Sequence, residues 1–286
     1  MAALKITKMH ALGNNYIYVS EYEELIPEPE LPLLAVAVSD VRKGIGSDGL
    51  ILIGPSIAAD VRMRIFNADG SEAETCGNGL RCVAKYAFEH GYVHNQKFTI
   101  ETKAGIVEAQ VHVDDTGRVP RVTIDMGEPQ LGTLAVPYSG PRGLAETEPV
   151  RVETAGAAYD GVLVSMGNPH FVSFVQDVDV APVEQAGPLI EHHDYFPERI
   201  NVEFVAPIGR SELDFRVWER GSGITYACGT GACAAVVAGV ALGKLDEKVI
   251  VHLLGGDLEI ELRNGRVLMT GEAVHVLSGD FQWPRY

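Results

Sequence analysis

The chain has 286 residues, 46% hydrophobic and 22% charged, with 23 Lys and Arg against 39 Asp and Glu, a formal net charge of −16. That length allows two medium domains with separate cores, and the composition is that of a folded globular protein. A chain this acidic repels phosphate backbones and anionic lipid, so neither nucleic acid nor a membrane is an expected partner.

Met1–Lys8 lacks the apolar run of a signal peptide. The longest apolar stretch begins near Ala234, is broken by Gly239 and Gly243, and is too short to span a bilayer. Four cysteines in a chain of this size do not make a disulfide framework. A cytoplasmic protein with reduced thiols follows as the expectation.

In chain order, Leu33–Val38 reads as helical. Gly44-Ile45-Gly46-Ser47-Asp48-Gly49 matches a dinucleotide-binding pattern, but that pattern must follow a strand and open a helix. Here the strand-like run Leu50–Ile53 comes after it, so the nucleotide reading is rejected. Alternation predicts strands over Val61–Phe66, Gly105–Val113, Leu213–Trp218 and Asp257–Leu262. Pro182–His192 is predicted helical, with Gly187-Pro188 set to kink or split it. Two further helices, Leu80–His90 and Ala232–Leu242, stop at Gly91 and Gly243. The second is apolar on every face and so should be buried all round.

The chain repeats itself. Cys76-Gly77-Asn78-Gly79 recurs as Cys228-Gly229-Thr230-Gly231 at an offset of 152 (228 − 76), and Met63–Phe66 lies over Phe215–Trp218 at the same offset. Weaker stations agree: Leu12-Gly13-Asn14 over Met166-Gly167-Asn168 at 154, and Asp48 over Asn201 at 153. The predicted fold class is therefore α+β, with two pseudo-symmetric lobes, each a mixed β structure wrapped around a central helix. The boundaries are drawn at 1–118 for the first lobe and 119–274 for the second, with 275–286 returning to the first. The site is expected in the cleft between them.

Cys76 and Cys228 each precede a glycine-bracketed turn at a helix start. Unpaired amides there favour an anion and lower a thiol's pKa from about 8.5. Glycine also lets the backbone approach a ligand, so Gly77-Asn78 and Gly229-Thr230 could grip one carboxylate and stabilise the charge formed when the adjacent carbon is deprotonated. Two thiols facing one carbon suit removing a proton from one face and returning one to the other. Cys82 and Cys233 do not align and are assigned to the core. The C-x5-C and C-x4-C spacings do not form zinc knuckles, so no metal is expected. Asn14, Asn67, Asn168, His170, Asn201, Glu219 and Arg220 cluster at the repeated stations, and as a set they suit a substrate bearing both ammonium and carboxylate groups.

With these residues in hand, the chain resembles the diaminopimelate epimerase family. The resemblance rests on Met9–Tyr16, Gly44–Gly49, Phe66–Glu72, Cys76–Cys82, Met166–His170, Arg199–Phe204, Trp218–Gly221 and Ala227–Ala234. It implies the two-lobed fold and cofactor-independent interconversion of LL- and meso-diaminopimelate, a step in making lysine and peptidoglycan precursors. It implies Cys76 and Cys228 as paired acid and base, with His170 and Glu219 as polar helpers of the thiols. It also implies substrate binding by Asn14, Asn67, Asn168, Asn201, Glu219, Arg220 and the backbone at Gly77, Asn78, Gly229 and Thr230. No cofactor is expected, and a homodimer is the family-level expectation. Ala11 stands where many members have Gly, and Asn15-Tyr16 where Asp-Phe is common; both flank Asn14 without replacing it. A proline racemase-like enzyme pairs two cysteines in the same way, but a cyclic monocarboxylate leaves little for Arg220 and the extra asparagines to do. A non-catalytic amino-acid-binding or redox-sensing protein is the alternative from another class.

Overall fold

The computed structural model describes residues 2–73, 77–154 and 156–283. Cys76 lies outside the described residues. The chain divides into two compact units, 1–125 with 270–286, and 126–269.

The first unit contains β1 (Ala2–Ala11), β2 (Asn14–Ser20), α1 (Leu31–Ser39), β3 (Gly49–Gly54), β4 (Val61–Asn67), β5 (Glu72–Ala73), α2 (Gly77–Glu89), β6 (Lys97–Thr102), β7 (Gly105–His112) and β8 (Arg121–Asp125). The second contains β9 (Gln130–Leu131), β10 (Val150–Thr154), β11 (Ala157–Ser165), β12 (Pro169–Phe174), α3 (Val183–Glu191), β13 (Asn201–Pro207), β14 (Glu212–Glu219), β15 (Gly223–Ile224), α4 (Gly229–Ala241), β16 (Lys248–Leu253) and β17 (Gly256–Arg263). β18 (Arg266–Glu272) contains the boundary between units, and β19 (Val274–Trp283) pairs antiparallel with β1.

The duplication is visible in the pairing. In the first unit β1–β2 is antiparallel, β2–β3 parallel, β3–β4 antiparallel, β4–β6 parallel and β6–β7 antiparallel. In the second, β11–β12, β12–β13, β13–β14, β14–β16 and β16–β17 repeat that succession. Leu50 faces Phe66 and Val202 faces Trp218, so this ladder repeats at 152 throughout. Glu203 therefore occupies the place of Ile51, and the Asp48–Asn201 station at 153 is one residue out of ladder register. Ile17 pairs with Leu50 and Phe171 with Val202, which puts His170 in the place of Tyr16.

Alternation explains the repeated strands. In β4 Val61, Met63 and Ile65 are buried, and in β14 Leu213, Phe215 and Val217 are. The repeated arginines point the other way. Arg64 pairs with Glu28 at 2.6 Å and Glu72 at 2.8 Å, and Arg216 pairs with Asp179 at 2.6 Å. Such pairs contribute about 0–1 kcal/mol each.

Each unit wraps its own strands around one helix. α2 packs on β1, β2, β7 and β8, and α4 on β11, β12, β13 and β17. Ala232 through Gly239 are all buried, as an all-apolar helix requires. Fully burying a Val side chain there stabilises by about 1.5–3 kcal/mol. Both helices begin at the first glycine after the cysteine, so the expected Gly-x-Gly turns are instead the first helical turn. Gly91 and Gly243 adopt φ of 72° and 68°, the left-handed stops the sequence predicts. Pro188 does not split α3; it lies inside one continuous helix and removes a single backbone donor. Cys82 and Cys233 are fully buried. No described helix is long and apolar enough to cross a membrane.

Candidate functional site

Cys228 is the N-cap of α4. Its backbone is extended, with φ −113° and ψ 103°, and the Gly231 amide donates to Sγ at 3.4 Å. The Thr230 hydroxyl lies 3.6 Å from the same sulfur. The first-turn amides of Gly229 and Thr230 have no intrahelical acceptor. Cys228 is a thiol outside any disulfide, and it is buried. Its pKa is raised well above 9.0, first by burial and then by the nearby carboxylates of Glu219 and Glu203. Helix-start amides lower a thiol's pKa, and here burial and acidic neighbours outweigh them.

Behind the sulfur runs a line of polar side chains. Asn168 Nδ2 donates to Thr230 Oγ1 at 3.2 Å. Asn168 Oδ1 lies 3.0 Å from His170 Nε2, and His170 Nδ1 lies 2.7 Å from Glu203 Oε1. His170 and Glu203 are both wholly inaccessible. Breaking such a buried pair costs about 3–5 kcal/mol, because the remaining group is left uncompensated. Burial pushes the Glu203 carboxyl above its usual range, against the pull of His170.

A second cluster fixes the loop after β14. Thr225 Oγ1 donates to Glu219 Oε1. Burial is the main cause that raises the Glu219 carboxyl, and hydrogen bonds from Thr225 and Cys228 oppose it. The Arg220 amide donates to Asn201 Oδ1 at 2.9 Å, and Asn201 Nδ2 donates to the Pro169 carbonyl at 2.8 Å. Asn201 thereby ties the start of β12 to the end of β14, where Glu219 closes the strand and Arg220 opens the loop. The Arg220 guanidinium reaches the Glu198 carbonyl at 3.1 Å.

In the first unit, Asn14 Nδ2 donates to Asp48 Oδ2 at 2.9 Å, and the Ala68 amide donates to the Asp48 carbonyl at 3.1 Å. Asp48 so draws Asn14 toward the end of β4, where Asn67 Nδ2 donates to Ser71 Oγ at 3.0 Å. Gly77 opens α2. Asn78 is buried and its Oδ1 accepts from Arg81 Nη2 at 2.9 Å. Its side chain braces the helix start, so only its backbone suits a ligand. The second unit thus gathers Cys228, Gly229, Thr230, Asn168, His170, Asn201, Glu219 and Arg220, and the first gathers Asn14 and Asn67.

Two residues escaped the sequence reading. Glu203 sits in the otherwise apolar run Val202–Val205, and a lone carboxylate there was the available signal. Glu191 is buried, accepts from Trp218 Nε1 at 2.7 Å and from the Gly221 amide at 2.9 Å, and anchors the Glu219–Arg220 loop. On the sequence it looks like one more charge near the end of a helix.

The chain is similar to known proteins along nearly its whole length. The family model described as diaminopimelate epimerase matches residues 6–132 and 162–276. The chain is 56% identical to the diaminopimelate epimerase of Geobacillus kaustophilus strain HTA426, over 99% of this chain and 98% of the relative. It is 55% identical to that of Bacillus licheniformis, over 98% and 99%. Among solved structures, a Bacillus anthracis phenazine biosynthesis protein of the PhzF family aligns with a TM-score of 0.70 at 19% identity, covering 99% of this chain and 100% of that one. A hydroxyproline epimerase from Agrobacterium vitis aligns at 0.68 and 16%, covering 98% and 91%. At such low identity these structures show a shared fold alone.

Proposed function

The chain belongs to the diaminopimelate epimerase family, and from that membership we infer that its reaction, the epimerisation of diaminopimelate, is carried out by Cys76 and Cys228 as paired base and acid. The observation that carries this reading is the duplicated Cys-Gly-x-Gly at the start of two buried helices. One thiolate removes the α-proton, and the other thiol delivers a proton to the opposite face, which inverts the carbon. The reverse reaction exchanges their roles.

The α-proton of an amino acid is weakly acidic, so the carbanion needs help. The amides of Gly77, Asn78, Gly229 and Thr230 supply it by holding the adjacent carboxylate as charge builds on it. Asn14, Asn67, Asn168, Asn201, Glu219 and Arg220 hold the amines and the distal carboxylate. Support comes from the fixed positions of Asn201, Arg220 and Glu219 in one loop cluster. The raised pKa of Cys228 suits the resting proton donor. His170 and Glu219 serve the thiol from either side. The same reading has the protein working in the cytoplasm, where its thiols stay reduced, and as a homodimer.

The test is an assay of purified protein with a reductant, LL-diaminopimelate against L-proline. The reading expects inversion of diaminopimelate alone. Inversion of proline at a comparable rate would contradict it.

A further inference from the structure

His170 Nε2 faces Asn168 Oδ1, an amide oxygen that can only accept. The imidazole therefore carries a proton on Nε2. Its Nδ1 lies 2.7 Å from Glu203 Oε1, which requires one further proton between them. Whichever atom holds that proton, the pair has no net charge. From His170 outward every donor points the same way. Nε2–H donates to Asn168, Asn168 Nδ2 donates to Thr230, and the Thr230 hydroxyl keeps its own hydrogen, which it aims at Sγ once the sulfur is a thiolate and can only accept. The first unit has Tyr16 and Ile51 at the corresponding places, so this device belongs to the Cys228 half alone.

We propose that Glu203 is a positioning residue for the Cys228 thiol: by holding His170 Nδ1 it presents Nε2–H to Asn168, and so aims the hydroxyl of Thr230 at the sulfur. This rests on the reading of Cys228 as one of the two acid/base thiols. Two observations place Glu203 for this work. A methyl group on Gly231 would meet Glu203 Oε1 at 2.8 Å and Cys228 Sγ at 3.2 Å, so carboxyl and thiol lie against the same backbone atom. Glu203 Oε2 is buried with no hydrogen-bond partner among the described residues. An ionised carboxylate so placed is unfavourable, and sharing a proton with His170 relieves it. The groups that face the sulfur with charge or protons are Glu203, His170 through the chain, and Glu219 from β14.

The chain predicts how three substitutions differ. Glu203→Gln keeps an N–H donor for Nδ1 and preserves the chain's direction. Glu203→Leu is similar in size and leaves Nδ1 without a partner, so His170 is free to change tautomer. Thr230→Val cuts the last link at a half-buried position. The measurement is the pH dependence of iodoacetamide alkylation at Cys228, followed by mass spectrometry of its peptide in the reduced, substrate-free protein, together with kcat and KM for LL-diaminopimelate. Thr230→Val should raise the alkylation midpoint by about one pH unit, because the thiolate loses a donor; Glu203→Leu should do the same, since the carboxyl it removes shares one proton with His170 and the pair has no net charge whose loss would lower the midpoint. Glu203→Leu should lower kcat about tenfold or more with KM within about twofold. Glu203→Gln should match the native protein in both. An unchanged midpoint in Glu203→Leu and Thr230→Val, with Cys228 still essential, would overturn the proposal and leave the two-thiol reading intact. So would a Glu203→Gln variant as impaired as Glu203→Leu, since charge would then be the operative property. Full activity in Cys228→Ala would overturn both.

Discussion

The Cys228 sulfur accepts the Gly231 amide at 3.4 Å, so the thiol caps the helix it begins. Cap and chemistry can be separated. Cys228→Ala removes an N-cap acceptor and should destabilise the protein by about 1 kcal/mol, whereas Cys228→Ser keeps an acceptor and should not. Both should lose at least about a hundredfold in kcat. Calorimetry and a coupled epimerase assay on the same preparations check this. A serine variant with near-native turnover would show that the sulfur acts only as a cap.

Glu219 should hold the proton on Cys228. Burial is the larger cause of the raised thiol pKa and Glu219 the next, so Glu219→Gln should shift alkylation of Cys228 to lower pH. Stability should follow the thiol with a definite sign. The folded pKa exceeds the unfolded value of about 8.5, so the folded state holds this proton more tightly. The thiol's contribution is complete below about pH 8.5 and falls as pH rises from there towards the folded value, by at most about 1.4 kcal/mol per pH unit. Urea unfolding at pH 7.5 and 9.5 should show that loss in the native protein and a smaller one in Cys228→Ala. Equal losses in the two would remove the thiol as their source.

Gly231 leaves no room for a side chain. An added methyl would meet Glu203 Oε1 at 2.8 Å, Phe215 Cζ at 3.1 Å and Cys228 Sγ at 3.2 Å. Gly231→Ala should cost about 1–3 kcal/mol by overpacking and displace both the carboxyl and the thiol. The melting temperature and kcat should fall together. A variant of native stability and native kcat would show that the contacts relax freely.

Glu191 should matter to substrate binding through the loop it holds. Glu191→Ala leaves the Trp218 indole N–H and the Gly221 amide without their acceptor, at about 1–3 kcal/mol for each that stays buried. The loop bearing Glu219 and Arg220 then loosens, and KM should rise more than kcat falls. Glu191→Gln keeps one acceptor oxygen and should lie between. Steady-state kinetics on both variants decide it; unchanged KM in Glu191→Ala would place the anchor elsewhere.

The repeat was legible because sequence and ladder share one spacing. Cys76 and Cys228, and Phe66 and Trp218, sit 152 apart, and the strand pairing around Leu50 and Val202 keeps that interval. The helix centred on Ala235 was legible because no face of it is polar. Glu203 was not legible. Its role depends on the parallel pairing of β12 with β13, which sets it beside His170 across 33 positions of sequence. Glu191 depends likewise on α3 packing against β14. Asn78 was assigned through its backbone alone, and its side chain is engaged elsewhere, accepting from Arg81. The glycine turns were read one step too irregular, because glycine tolerates the first helical turn as readily as a loop.

The central claim is that two thiols act from opposite faces of one carbon. Its most direct test is turnover of LL-diaminopimelate in deuterium oxide by the native protein, Cys76→Ala and Cys228→Ala, with the meso product analysed for α-carbon deuterium. The native protein should place solvent deuterium at the inverted carbon, and neither variant should form meso product. Meso product from either variant at a near-native rate, or native product that keeps its original protium throughout, would contradict the account.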